Sequence, residues 1–253
     1  MHVAERETPA GSGQAEIFAT THWSVVLAAG RSDTALAAPA LAQLCQTYWY
    51  PIYAFARRSG EAPPDAEDLT QGFFAHFLEH NLAGRVGPER GKFRSYLLVC
   101  FKNFRASQRA RESYQKRGGG RGIISLDAAR PEDRYRLEPV EAMDPEKLYE
   151  LSWTLALLDR VVTRLGEELA VTGKPELFAY LKPRLLGEPA EKTYAEIGVR
   201  FGLSEGAVTN MVYRMRQRYR ELFRKEIANT VAGPEEFEGE LRHLFAVLGG
   251  RGK

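Results

Sequence analysis

The chain is poor in the features that would make it secreted, membrane-spanning or built around a metal. Its two cysteines, Cys45 and Cys100, sit among apolar neighbours without Cys-x-x-Cys spacing. That excludes a disulfide framework and a cysteine-only zinc site. No run of about 18 apolar residues occurs, so no membrane partner is expected. Residues Met1–Ala15 are polar and carry Glu5, Arg6 and Glu7 ahead of Pro9. With no apolar stretch of signal-peptide type there, a cytoplasmic protein is expected. No segment reads as a strand of convincing length. The five histidines are scattered, and no Ser-His-Asp arrangement can be argued from them.

What is present suits ordinary globular cores: 44% hydrophobic residues beside 27% charged ones. The length of 253 residues fits two domains of ~100 residues each, with tails. The net charge of +2 hides a segregation. Residues 101–137 hold 10 basic and 4 acidic groups, and residues 193–229 hold 7 and 4. Two basic segments far apart in a nearly neutral chain suit a polyanion that touches the protein at two places. Two solvated helix faces would give the same arithmetic.

The periodic segments are helical. Leu41, Leu44, Cys45, Tyr48, Trp49, Ile52, Phe55 and Ala56 recur three and four apart on one face, with Pro51 expected to kink or interrupt the helix. Pro63-Pro64 reads as a break, followed by Asp65 as N-cap of a second helix that buries Ala66, Leu69, Phe73 and Phe77. The glycine-rich loop Asn81–Gly91 leads to a third stripe: Phe93, Tyr96, Leu97, Cys100, Phe101 and Phe104. Lys102, Arg105, Arg109 and Lys116 form a basic stripe beside it, of the kind that single-stranded nucleic acid needs. The tract Arg117-Gly-Gly-Gly-Arg-Gly122 would end any helix. Residues 113–144 therefore read as a flexible linker, with a short ordered patch at Ile123, Ile124 and Leu126; an RNA-binding role for the Arg-Gly tract is the alternative to a hinge. Leu148, Leu151, Leu155, Leu158, Val162, Leu165 and Leu169 then alternate by three and four, as a core helix or a short coiled coil would. Pro175 suits the first position of the next helix, which carries Leu177, Phe178 and Leu181 and ends near Pro183 or Gly187.

The C-terminal half carries the sharpest pattern. Thr193-Tyr-Ala-Glu196 is a capping box, Gly202 permits a turn, and Ser204 is the N-cap of a strongly basic helix with Arg214, Arg216, Arg218, Arg220, Arg224 and Lys225. Ile197, Phe201, Leu203, Val208 and Met211 are the apolar positions that two short helices at a steep angle would bury. This is helix-turn-helix spacing. Val208 and Met211 face the core, which leaves Thr209, Asn210 and Tyr213 for base edges in the major groove. Asn has bidentate geometry for adenine, and Thr can bond a base or touch a thymine methyl. Arg214 and Arg216 can hold guanine or phosphates, and Arg218, farther along, phosphates.

The segment Tyr194-Ala-Glu-Ile-Gly-Val-Arg-Phe-Gly-Leu-Ser-Glu-Gly-Ala-Val-Thr-Asn-Met-Val-Tyr-Arg-Met-Arg216 resembles region 4 of bacterial sigma factors of the extracytoplasmic-function type. Ala66-Glu-Asp-Leu-Thr-Gln-Gly-Phe-Phe74 looks like the region 2 helix that docks on the polymerase clamp. Phe93-Arg-Ser-Tyr-Leu-Leu-Val-Cys-Phe-Lys-Asn103 looks like the region 2 helix that meets the minus-ten element. The matches stand in the family's order and, with flanking helices, cover roughly residues 40–112 and 145–228. The chain departs from the family pattern at Gly72 (usually acidic), Tyr96 (usually Trp) and Gly198 (usually Ala).

The resemblance implies an all-α fold of two small helical domains on a flexible linker. An N-terminal extension (1–20), expected to be disordered, precedes a region 2-like domain (21–112). The linker (113–144) is followed by a region 4-like domain with the helix-turn-helix (145–229). An amphipathic tail (230–253) carries Phe237, Leu241, Leu244, Phe245 and Leu248. The implied function is promoter-specific initiation as a dissociable polymerase subunit, with no enzymatic activity of its own and no cofactor. Glu67, Asp68, Gln71 and Phe74 would bind core RNA polymerase. Lys102, Asn103, Arg105 and Arg109 would hold melted promoter DNA, with the Asn81–Gly91 loop receiving an unstacked base. An anti-sigma factor stays open as a further partner. A stand-alone helix-turn-helix regulator and a coiled-coil adaptor are the alternatives.

Two motifs point elsewhere and fail on chemistry. His76-Phe-Leu-Glu-His80 has the spacing of an inverted zinc-peptidase motif but lacks a third ligand downstream. Gly87-Pro-Glu-Arg-Gly91-Lys92 has too few residues between its glycines for a phosphate loop, and Phe93 stands where magnesium needs a hydroxyl.

Overall fold

The computed structural model describes residues 23–30, 37–114, 131–137, 143–171, 175–187 and 192–249. These residues are helical, with no strand among them, so the chain is all-α as expected. The N-terminal extension 1–20, the Arg-Gly tract, Lys116 and the patch at Ile123, Ile124 and Leu126 lie outside the described residues. No described helix is long and apolar enough to cross a membrane.

Helix α1 (Trp23–Gly30) packs on α2 (Ala37–Arg58), which is the centre of the fold. The sequence between Thr47 and Ala56 is buried on every side: Tyr48, Trp49, Tyr50, Ile52, Tyr53 and Phe55 all face protein. Pro51 does not end this helix. It removes one backbone donor within a helix whose surroundings are entirely packed, so neighbouring side chains hold the shape that the missing bond does not.

Helix α3 (Pro63–Glu79) starts three residues earlier than an N-cap at Asp65 would place it. Pro63 and Pro64 occupy the first helical positions, where a missing N–H costs nothing, and Asp65 lies in the first turn and does not cap it. Two short 3-10 turns, Leu82–Arg85 and Pro88–Arg90, fill the loop before α4 (Phe93–Tyr114). The aromatic stripes of α3 and α4 meet edge to face, with Phe73 and Phe101 ring centroids 5.2 Å apart. Asn81 takes a left-handed conformation, and its side-chain amide donates to the Gly30 carbonyl at 3.0 Å, which ties the loop to α1.

The expected linker contains a helix that periodicity alone could not reveal, α5 (Pro131–Leu137). It docks on α2 through Glu132, whose carboxylate accepts from Arg57 Nε at 2.9 Å, Arg57 Nη2 at 3.0 Å and the Tyr53 hydroxyl at 2.7 Å. The hydrogen bond from Arg57 is the main reason that the Glu132 carboxyl titrates at about 2 instead of 4.5; Tyr53 adds to it. A carboxyl lowered by folding stabilises the fold above its unfolded value and loses that contribution as pH falls through its folded one. Glu132→Gln should therefore weaken the α5 contact by ~1–3 kcal/mol at pH 7. The gap to the wild type should narrow only below about pH 4.5. Hydrogen exchange over residues 131–137 at pH 7, 5 and 3.5 checks this; a gap independent of pH contradicts it.

Helix α6 (Pro145–Val171) is buried on a broad surface, not on the narrow seam of a coiled coil. Tyr149, Trp153, Leu157 and Val161 follow steps of four along one side, while Leu148, Leu151, Val162 and Leu165 are buried beside them. The helix packs on α2, α7 (Pro175–Leu186), α9 (Glu205–Ala228) and α10 (Pro234–Gly249). Of the two expected end points, α7 stops before Gly187, which has a φ of +76°. The tail helix α10 thus has partners in the chain, α6 and α9, and Leu244 is fully buried there. Because α6 lies on α2, the halves on either side of residues 113–144 share packing.

Candidate nucleic-acid interface

Helix α8 (Tyr194–Phe201) and α9 are joined by a three-residue turn that the sequence specifies locally. The Thr193 backbone N–H donates to Glu196 Oε2 at 2.6 Å, and the Glu196 N–H returns a bond to Thr193 Oγ1 at 3.2 Å, so the capping box closes. Gly202 has a φ of +65°, which an L side chain rarely adopts. Ser204 caps α9 by accepting from the Ala207 N–H at 3.2 Å. Gly198 has a steric reason. A Cβ there would lie 2.5 Å from the Leu203 carbonyl oxygen, which the turn brings against α8.

Around the turn the buried apolar side chains are Ile197, Val208, Val212 and Met215, and farther along α9 Leu222 and Ile227 are buried as well. Phe201, Leu203 and Met211 are only half-buried, and Val212 was not among the expected core residues. The opposite side of α9 carries Thr209, Asn210, Tyr213, Arg214 and Arg216, all exposed, with Tyr213 61% accessible. Thr209 donates its hydroxyl back to the Glu205 carbonyl at 3.0 Å, and Arg216 donates to the Arg184 carbonyl at 3.0 Å. Arg218 is differently placed. Its guanidinium forks onto Glu168 of α6, with both nitrogens at 2.8 Å, and reaches Glu221 at 2.9 Å. In this structure Arg218, whose phosphate role was expected from its place on the helix, ties α9 to α6, because two carboxylates in register satisfy its donor fork.

On α4 the basic residues share one side but are engaged. Lys102 pairs with Glu146 at the start of α6 at 2.6 Å and lies over the Phe55 ring, 5.5 Å from its centroid. Arg105 sits 5.6 Å from the same centroid. Arg109 pairs with Glu61, ahead of α3, at 2.5 Å. Asn103 is exposed. These residues form one track, as their spacing requires, but intramolecular acids cover two of its charges. In the Asn81–Gly91 loop, Ala83 and Val86 are buried, and Arg85 and Arg90 are exposed.

On α3, Asp68 is exposed and Glu67 and Gln71 are half-exposed, so these three can meet a partner without disturbing the core. Phe74 cannot. It is 4% exposed, with its ring 5.4 Å from that of Phe73, and it is corrected to a core residue. A helix with phenylalanines at 73, 74 and 77 has a wide apolar face, and Phe74 falls inside it.

The two histidines of the His76–His80 motif lie side by side on α3 and its C-cap. The His76 and His80 rings lie against each other, centroids 4.1 Å apart, and burial lowers the His76 pKa. Among the described residues no group of three His, Cys, Asp or Glu side chains could hold a metal ion.

A charged cluster whose pairing no local spacing predicts joins α4, α6 and α10. Arg94, in the first turn of α4, is 2% exposed. Its Nη1 donates to Glu240 Oε1 at 2.5 Å, its Nη2 to Glu240 Oε2 at 3.3 Å, and its Nε to Glu150 Oε2 at 2.8 Å. Lys92 also pairs with Glu240, and His243 Nε2 lies 3.1 Å from Glu150. The guanidinium covers the Trp153 ring at 4.4 Å, and the Tyr149 hydroxyl donates to the Arg94 carbonyl at 2.9 Å. Burial alone would raise the Glu240 carboxyl, but Arg94 and Lys92 outweigh it and hold the pKa below its ordinary value. A signal existed: Glu240 falls three after Phe237 and four before Leu244, on the apolar side of its helix. No family model matches the chain, and no curated protein and no solved structure matches it.

Proposed function

We propose that the chain is a sigma factor of the extracytoplasmic-function type. It is a dissociable subunit of RNA polymerase that directs initiation at particular promoters in the cytoplasm. In this reading the outer side of α3 docks on the polymerase clamp through Glu67, Asp68 and Gln71. Helix α4 holds the melted minus-ten strand along Lys102, Asn103, Arg105 and Arg109. Helices α8 and α9 act as a helix-turn-helix on the minus-thirty-five duplex, so that the two helical parts, packed on each other in this structure, meet the promoter at two places. The observation that carries the reading is the exposed row Thr209, Asn210, Tyr213 and Arg214 on one side of α9, directly after a capped glycine turn. The ordered resemblance of the two halves supports it.

The deciding experiment is retention of core RNA polymerase by the tagged chain. The double variant Glu67→Lys, Asp68→Lys should lose at least ten-fold in polymerase affinity. Its circular dichroism should match the wild type, because neither side chain is buried. Normal retention by this variant contradicts the docking face. Failure of the wild type to retain polymerase, with duplex binding intact, favours a stand-alone helix-turn-helix regulator.

The reading face is tested separately. Asn210→Ala should change the preferred base at one position of the minus-thirty-five element, at a cost of ~1–3 kcal/mol, since Asn is the side chain with bidentate geometry for adenine. Selection from a promoter library reads this out directly. An unchanged preferred sequence contradicts the assignment.

A further inference from the structure

The cluster around Arg94 joins three elements that the two-module reading keeps apart: the start of α4, the first half of α6 and the middle of α10. Glu240 on α10 is 1% exposed and is bonded by both Arg94 and Lys92. Glu150 on α6 holds the third nitrogen of the same guanidinium. Two turns farther along α4, Lys102 is paired with Glu146, one turn before Glu150 on α6. The α10 contact and the covering of Lys102 are thus parts of one arrangement. Where Arg94 is held, the acidic start of α6 lies on the basic track of α4.

We propose that α10 is a latch. By holding Arg94 against α6, it keeps the chain in a closed form in which Glu146 occupies the place of a nucleic-acid phosphate on Lys102. Release of Glu240 from Arg94 loosens the first turn of α6, which carries the exposed Glu146, while the rest of the helix stays packed on α2, and so opens the track to a single-stranded polyanion. A carboxylate is a fit stand-in here, because Lys102 recognises charge, not base identity. The identity of the polyanion as melted promoter DNA rests on the reading above; the latch itself does not.

The test uses the full chain with two readouts: hydrogen exchange over residues 234–249, and anisotropy of a fluorescein-labelled 20-nucleotide single-stranded DNA. Glu240→Gln removes the charge that Arg94 and Lys92 hold. It should raise exchange in α10 at least ten-fold and tighten strand binding at least five-fold. Glu146→Gln is an exposed change that leaves the latch in place, so it should tighten binding without altering α10 exchange. Glu238→Gln, an exposed acid on α10, controls for net charge and should do neither. Unchanged exchange in Glu240→Gln overturns the latch, whatever becomes of the promoter reading. Raised exchange without tighter binding overturns the masking of α4. Polymerase retention in that case shows that the promoter reading has survived. Equal tightening by Glu238→Gln reduces the effect to overall charge and overturns the proposal.

Discussion

Replacing Arg94 with alanine is expected to destabilise the folded chain by about 3–5 kcal/mol, among the largest effects of any single substitution here. The reason is what remains. Glu240 has no access to water, and without the guanidinium it keeps only Lys92 as a partner. A buried charge stripped of its main partner costs far more than the pair contributes when intact. The Trp153 ring also loses the cation that covers it, worth ~0.5–2 kcal/mol. Arg94→Lys should recover little of the loss, since an ammonium cannot serve Glu240 and Glu150 together through a planar fork. The double variant Arg94→Met, Glu240→Gln should be more stable than Arg94→Ala, because neither of the two fully buried charges is left, while Lys92 and Glu150 reach solvent. Urea denaturation of the three variants checks the ordering. A cost below about 1 kcal/mol for Arg94→Ala would mean that Glu240 is solvated in the fold.

Trp153→Ala is expected to cost about 3–5 kcal/mol as well, through an apolar mechanism. Trp153 is 2% exposed and stands one turn beyond Tyr149, whose hydroxyl reaches the α4 backbone. Its removal leaves a cavity where α6 packs against the N-terminal half. A surface of contact between independent modules would yield by loosening, and the loss would stay within α6–α10. Shared packing predicts that amide protection falls in α2 as well as in α6. Hydrogen exchange of Trp153→Ala at neutral pH separates the two outcomes. Unaltered protection across residues 47–56 would contradict the shared packing.

The resemblance to sigma factors rested on short segments, and those segments contain the parts of the fold that are locally specified. The capping box at Thr193, the turn at Gly202 and the cap at Ser204 are decided by hydrogen bonds spanning three or four residues. The apolar stripes of α2, α3 and α4 likewise follow from spacing within each helix. An exposed row such as Thr209, Asn210 and Tyr213 is what remains once the buried positions of α9 are fixed. Phe74 lies at the edge of the apolar face of α3, and spacing locates the middle of such a face more sharply than its edge.

What the sequence by itself determined is the all-helical class, most helix positions, and the side of α9 left to solvent. These depend on periodicity and capping, which act over one or two turns. Only the tertiary structure decided that α10 packs on α6 and α9, that α5 docks on α2, and that Arg218 and Lys102 are held by acids of α6. It also decided that Arg94 and Glu240, 146 positions apart, share one buried site. A charge in an apolar stripe is a conflict that no local interaction resolves. Its partner is chosen by how the helices pack, and that choice belongs to the whole core.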